Sequence, residues 1–159
     1  MSAPADDDAA LLEIARCERL VQNFYGYLDE KRYDDLCDLF DVDGVWVRLG
    51  TELVGRDRIR ETMAERSDWL TAHVVTNLRV TLTGPDSAET VQYVTLYRHE
   101  GRSPQDGPAP VVLPLGILRH TDQLVKREGR WLFARKASRA LMVDRQRVTH
   151  YDQEKGKGT

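Results

Sequence analysis

The stretch HVVTNLRVTLTG, residues 73–84, decides the fold. Val74, Leu78, Val80 and Leu82 fall on one parity of it, the period of a half-buried strand. GPDS at 84–87 is a turn signal, and ETVQYVTLYRHE at 89–100 is the next strand. Beyond the Gly/Pro-dense loop GRSPQDGPAP at 101–110 come GILRHTDQLVKR and RWLFARKASRALMV. The two residues between them, Glu128-Gly129, make the pair a long hairpin. Toward the N-terminus the period changes. Ile14, Cys17, Val21, Phe24 and Leu28 recur at steps of three and four, which builds the apolar stripe of a helix. A second helix is predicted over 32–40 on Tyr33, Leu36, Cys37 and Phe40, ended by a turn at DVDG, 41–44. A short strand over Val45–Leu49 contains Trp46, and a third helix starts near Asp57, with Ile59 and Met63 as its i, i+4 pair.

Helices first and antiparallel strands after them imply an α+β domain. The strands can curl around the N-terminal helices into a cone-shaped barrel, and a helix across the mouth of a curled sheet encloses a pocket. The domain is expected over 10–143, with 1–9 and 144–159 as tails.

The chain has 159 residues, the length of one domain with a real core. Its formal net charge of -3 argues against a nucleic-acid binder, which needs a basic surface. The segment Arg119–Arg147 is rich in Lys and Arg, and it reads either as a solvated strand face or as a docking site for an anion. Cys17 and Cys37 lie on helical stripes and read as small buried hydrophobes. The first twenty residues lack the pattern of a signal peptide, and no apolar run is long enough for a membrane span, so a cytoplasmic location is expected.

Few residues could carry chemistry. Asp29 closes the first helix, four residues after Tyr25 and therefore on the same face. By itself it reads as an exposed acid in LDEKR. His73 opens a strand but is out of phase with Val80 and Leu82. Either a bulge shifts the phase or the pocket lies on the more polar face. His99 and His120 read as solvated, and His150 lies in the tail. No HxxxH or HxH spacing offers a metal site. Tyr25, Tyr27, Trp46, Tyr93 and Tyr97 could line an apolar pocket or simply fill the core. Arg135 shares a parity with Trp131 and Phe133, so on an inward face it would need an acid or an anionic ligand.

Taken in order, LDEKRYDDLCDLF, DGVWVRL, ELVGRDRIRETM, HVVTNLRVTL, SAETVQYVTLY and GRWLFARK resemble the SnoaL-like branch of the NTF2-like superfamily, over about residues 10–143. That branch holds polyketide cyclases, scytalone dehydratase and the hexachlorocyclohexane dehydrochlorinase. The resemblance implies that Asp29 and His73 form a catalytic dyad, with no cofactor and no metal. A carboxylate bonded to one imidazole nitrogen sets the tautomer and leaves the other nitrogen to take a proton. The accessory groups differ. Leu28 stands where scytalone dehydratase has a tyrosine, the place of a second tyrosine falls near Arg48, and Phe24 stands where the dehydrochlorinase has a lysine. His99 is the counterpart expected for a second histidine. The implied activity is that of a lyase or isomerase acting on a small, apolar, cyclic substrate, with Tyr25, Trp46, Tyr93 and Arg135 as substrate-binding residues. The alternative is a non-catalytic ligand-binding or accessory module, for which the fold provides equally well. A homodimer or higher homo-oligomer is expected, with neither nucleic acid nor membrane as partner.

Overall fold

The computed structural model describes residues 4–100 and 107–148, with side chains from residue 8 onward. The elements are α1 (Pro4–Asp29), α2 (Tyr33–Cys37), β1 (Phe40–Arg48), β2 (Thr51–Val54), α3 (Arg56–Ala64), β3 (Leu70–Gly84), β4 (Ser87–His99), β5 (Gly116–Arg127) and β6 (Arg130–Val143). The six strands form one curved sheet in the order β2-β1-β6-β5-β4-β3, which does not close.

The apolar stripe of α1 lies against this sheet. Cys17, Val21, Phe24, Tyr25 and Leu28 are all buried. Phe24 is the centre, meeting Tyr25, Phe40, Trp46 and Phe133 edge-on at ring-centroid distances of 5.0, 6.0, 5.2 and 5.6 Å. Each such side chain stabilises the fold by about 1.5–3 kcal/mol through burial. The helix ends where Lys31 turns into the left-handed region at φ 60 and Arg32 N–H bonds back to the Tyr27 carbonyl. That stop leaves Asp29 as the last helical residue.

Three expectations change. The pairing is not wholly antiparallel, because β1 runs parallel to β6. A hairpin forces opposite directions only on consecutive strands, and β1 reaches β6 after a long excursion of the chain. The expected turn at 41–44 is an irregular stretch inside β1, where Gly44 passes so close to the Phe133 carbonyl that a Cβ would stand 2.7 Å from its oxygen. The second helix, expected over 32–40, ends at Cys37, and Phe40 opens β1 instead. Described structure also lies on either side of 10–143. α1 begins at Pro4, in a segment carrying the strong helix formers Ala9 and Ala10. Beyond 143, Asp144 N–H bonds to the Leu115 carbonyl, Arg147 donates to the Arg98 and Leu113 carbonyls, and Val148 is buried. His150 lies outside the described residues.

Bulges decide which residues face α1. In β3, Thr76 pairs with Tyr93 and Arg79 with Val91, so Asn77 and Leu78 oppose a single residue. Asn77 adopts φ 52, a conformation asparagine tolerates better than most residues. The phase therefore flips. His73 and Val75 before the bulge share the inner side with Leu78, Val80 and Leu82 after it, while Val74 is exposed. In β6 a second bulge falls at Ala134, between the pairs Phe133–Leu124 and Arg135–Gln123.

Candidate functional site

The inner face of the sheet beyond Phe24 opens into a cavity of about 380 Å³. His73, Tyr25, Trp46 and His120 line it. Asp29 reaches His73 from the end of α1. Its Oδ1 lies 2.6 Å from His73 Nδ1 and accepts the Thr71 hydroxyl at 2.8 Å, while its Oδ2 accepts the His73 backbone N–H at 2.8 Å. A carboxylate at a helix C-terminus is unfavourable against the helix dipole. Here three donors from β3 offset that cost, and they hold the imidazole in one orientation. Burial works to raise the Asp29 pKa, but the hydrogen bonds and charge of His73 outweigh it, and the carboxyl titrates below its ordinary value. The side chains are 11% exposed for His73 and 24% for Asp29, so the pair is sheltered, and His73 lines the cavity.

Tyr25, one turn before Asp29, forms the wall beside the pair. Its ring lies 5.6 Å from that of His73 and 5.7 Å, edge-on, from that of His120. The phenol is buried, which pushes its pKa well above 10, so it stays protonated. Trp46 packs on Phe24 and lines the cavity.

The sequence reading missed His120. It is 8% exposed and lines the cavity two strands from His73, across β4. Burial, then the charge of Lys136, then His73 push its pKa well below 6.5, so the ring is neutral. Beneath it lies a second ion pair that sequence reasoning also missed. Lys136 and Asp122 are wholly buried, with Nζ to Oδ2 at 2.9 Å. Gln92 Nε2 donates to the same oxygen at 2.7 Å and Thr90 Oγ1 at 3.3 Å. The ammonium also lies over the rings of Phe24, Tyr25 and Phe133 at 4.4, 4.8 and 4.8 Å. Burial lowers the Lys136 pKa, with Asp122 acting in the opposite sense.

Strand parity on β5 is the signal that would have found His120 and Asp122, though not Lys136. His120 and Asp122 alternate in phase with Leu118 and Leu124. The charged neighbours of His120 made it look solvated.

Two expected pocket residues lie elsewhere. Arg135 is turned outward by the bulge at Ala134 and pairs with Glu52 at 2.6 Å on the surface, so Lys136 takes the inward place. Tyr93 belongs to the opposite parity of β4 from the buried Thr90, Gln92 and Val94, and does not line the cavity. His99 shares that outer parity and sits with Leu70 and Tyr97 in a separate groove. Among the described residues no group of three or more His, Cys, Asp or Glu side chains could hold a metal ion. No described helix is long and apolar enough to cross a membrane.

Comparison with known proteins agrees with this architecture. Among solved structures, a scytalone dehydratase-like protein from Novosphingobium aromaticivorans DSM 12444 is similar at 23% identity, over 89% of this chain and 93% of that one, with a TM-score of 0.69. An NTF2-like protein with a cystatin-like fold from Novosphingobium aromaticivorans gives a TM-score of 0.72 at 18% identity, over 89% and 92% of the two chains. The hexachlorocyclohexane dehydrochlorinase of Novosphingobium barchaimii LL02 gives 0.69 at 17% identity, over 89% and 93%. At these identities the likeness is one of fold. No curated protein sequence matches the chain. The family description "SnoaL-like domain" matches residues 9–137. Helix, open curved sheet and sequence thus agree, and the chain belongs to the SnoaL-like family.

Proposed function

We propose that the protein is a cofactor-independent lyase or isomerase acting on a small cyclic substrate, with His73 as general acid and base and Asp29 as the residue that orients it. One observation carries this reading: a carboxylate–imidazole pair at 2.6 Å beside an open cavity of about 380 Å³, a size that suits a ring system of small-molecule dimensions.

Asp29 holds the Nδ1–H tautomer, which leaves Nε2 of His73 to accept a proton from a carbon next to a carbonyl. The imidazolium so formed is stabilised by the Asp29 carboxylate. In a dehydration, the C–O bond of a β-hydroxyl then breaks, His73 returns its proton to the departing oxygen, and water and a C=C bond result. His120, neutral and two strands away, can donate its N–H to the carbonyl oxygen as charge builds there. Both imidazoles flank the Tyr25 ring, at centroid distances of 5.6 and 5.7 Å, so one small substrate against Tyr25 can meet both. Isomerisation or ring closure would use the same proton transfer with a different acceptor.

The test is a panel of cyclic β-hydroxy ketones, followed by the ultraviolet absorbance of the enone product. His73→Ala is expected to lower turnover by about 10²–10⁴-fold while the circular dichroism spectrum stays unchanged. A folded His73→Ala protein with full activity would remove His73 from the mechanism.

A further inference from the structure

The mouth of the cavity is more basic than its chemistry requires. Arg48, Arg66 and Arg98 line it with one lining carboxylate, Glu65, and Arg98 is paired with Glu100 outside the lining. Two of these arginines stand beside the dyad. Arg66 Nη1 lies 3.4 Å from the carbonyl oxygen of Leu28, the residue before Asp29. Arg98 sits on β4 directly across from Thr71, which itself bonds Asp29. Neither is drawn there by Asp29, whose oxygens are taken by His73 and Thr71.

Arg98 is also held in place. Its guanidinium stacks 4.6 Å from the centroid of Trp69, and one Nη donates to Glu100 at 2.6 Å. Its Nε–H is buried and finds no hydrogen-bond partner among the described residues. A buried donor without an acceptor costs about 1–3 kcal/mol. A flat, pre-positioned guanidinium lining a cavity is suited to the planar fork of a carboxylate.

We propose that the substrate is an anion: a small ring bearing a carboxylate, seated with its acid group on Arg66 and Arg98 at the mouth and its ring toward His73. The identification of a substrate rests on the catalytic reading above, but the anion site can be tested without turnover. The acid group fixes which carbon meets His73, so the arginines set the position of attack. Arg48, on the far wall over Trp46, borders the same opening from β1.

The experiment titrates 2-naphthoate and its neutral counterpart 2-naphthamide into the full chain. The ring resonances of His73 and His120, followed by NMR, report occupancy of this cavity. 2-Naphthoate is expected to bind at least about tenfold more tightly than the amide. The preference should shrink as salt is raised. In the Arg66→Gln, Arg98→Gln double variant the preference should vanish while the amide still binds. His73→Gln should keep it, because the anion contact needs no proton transfer. A protein that prefers the carboxylate but turns over nothing would therefore overturn the catalytic reading and leave the anion site standing. Equal affinities, undisturbed histidine resonances, or an unchanged preference in the double variant would overturn the proposal. Should the double variant unfold, the wild type decides, since a preference indifferent to salt would overturn it as well.

Discussion

Two carboxylate–nitrogen pairs, Asp29–His73 and Asp122–Lys136, differ in what surrounds them. Asp29 and His73 meet at the end of α1, partly exposed, with His73 lining the cavity. Asp122 and Lys136 meet under the same cavity at 0% exposure, roofed by three aromatic rings. The first pair has somewhere to send a proton. The second has none, and its charge acts through space, helping to hold His120 neutral. Under the proposed function, two similar pairs divide into chemistry and support because of access rather than residue type.

The comparison can be broken most directly at Asp122. Asp122→Ala leaves the Lys136 ammonium buried without its partner, and is expected to cost about 3–5 kcal/mol in urea unfolding. Asp29→Ala should cost less, about 1–3 kcal/mol, since water can replace part of what is lost, yet it should depress turnover strongly. Equal stability losses would erase the distinction between the two pairs. The double replacement Asp122→Leu, Lys136→Met removes both charges together and should recover most of the stability lost in Asp122→Ala, measured in the same unfolding series.

Acid sharpens the comparison next. His120 is neutral in the fold with a pKa below 6.5, so the unfolded chain binds the extra proton first. Stability should therefore fall as pH drops below 6.5, by about 1.4 kcal/mol per pH unit until His120 itself protonates. Asp29, whose folded pKa is depressed, adds a second loss at lower pH, beginning near its unfolded value of 3.8 and complete below its folded one. Thermal unfolding of His120→Asn should lack the first of these slopes and keep the second. The smallest effects belong to the outward-facing candidates. Arg135→Ala and Tyr93→Phe should each change stability by less than about 1 kcal/mol and leave binding in the cavity unaltered by NMR.

How far the site could be read depended on where a local pattern survived. Tyr25 and Asp29 could be placed on one face because an α-helix keeps i and i+4 together wherever it packs, while the role of Asp29 came only from the family resemblance. His73 posed a parity conflict with Val80 and Leu82, and the bulge at Asn77 is the answer. The bulge at Ala134 left no comparable sign, so Arg135 was read inward and Lys136 overlooked. On β4 the usual rule is inverted. Thr90 and Gln92 are buried while Tyr93 lies on the other parity, because the inner face must supply hydrogen bonds to Asp122.

By itself, then, the sequence determined the helical stripe, the strands and their hairpins, and the order of elements that marks an α+β fold. These are short-range properties, set by side-chain period and turn chemistry along neighbouring residues. Tertiary structure alone decided that β1 lies parallel to β6, that Lys136 displaces Arg135, and that His120 joins His73 at one cavity. Each of these depends on a register between strands far apart in the chain, where one inserted residue turns every later side chain to the opposite face.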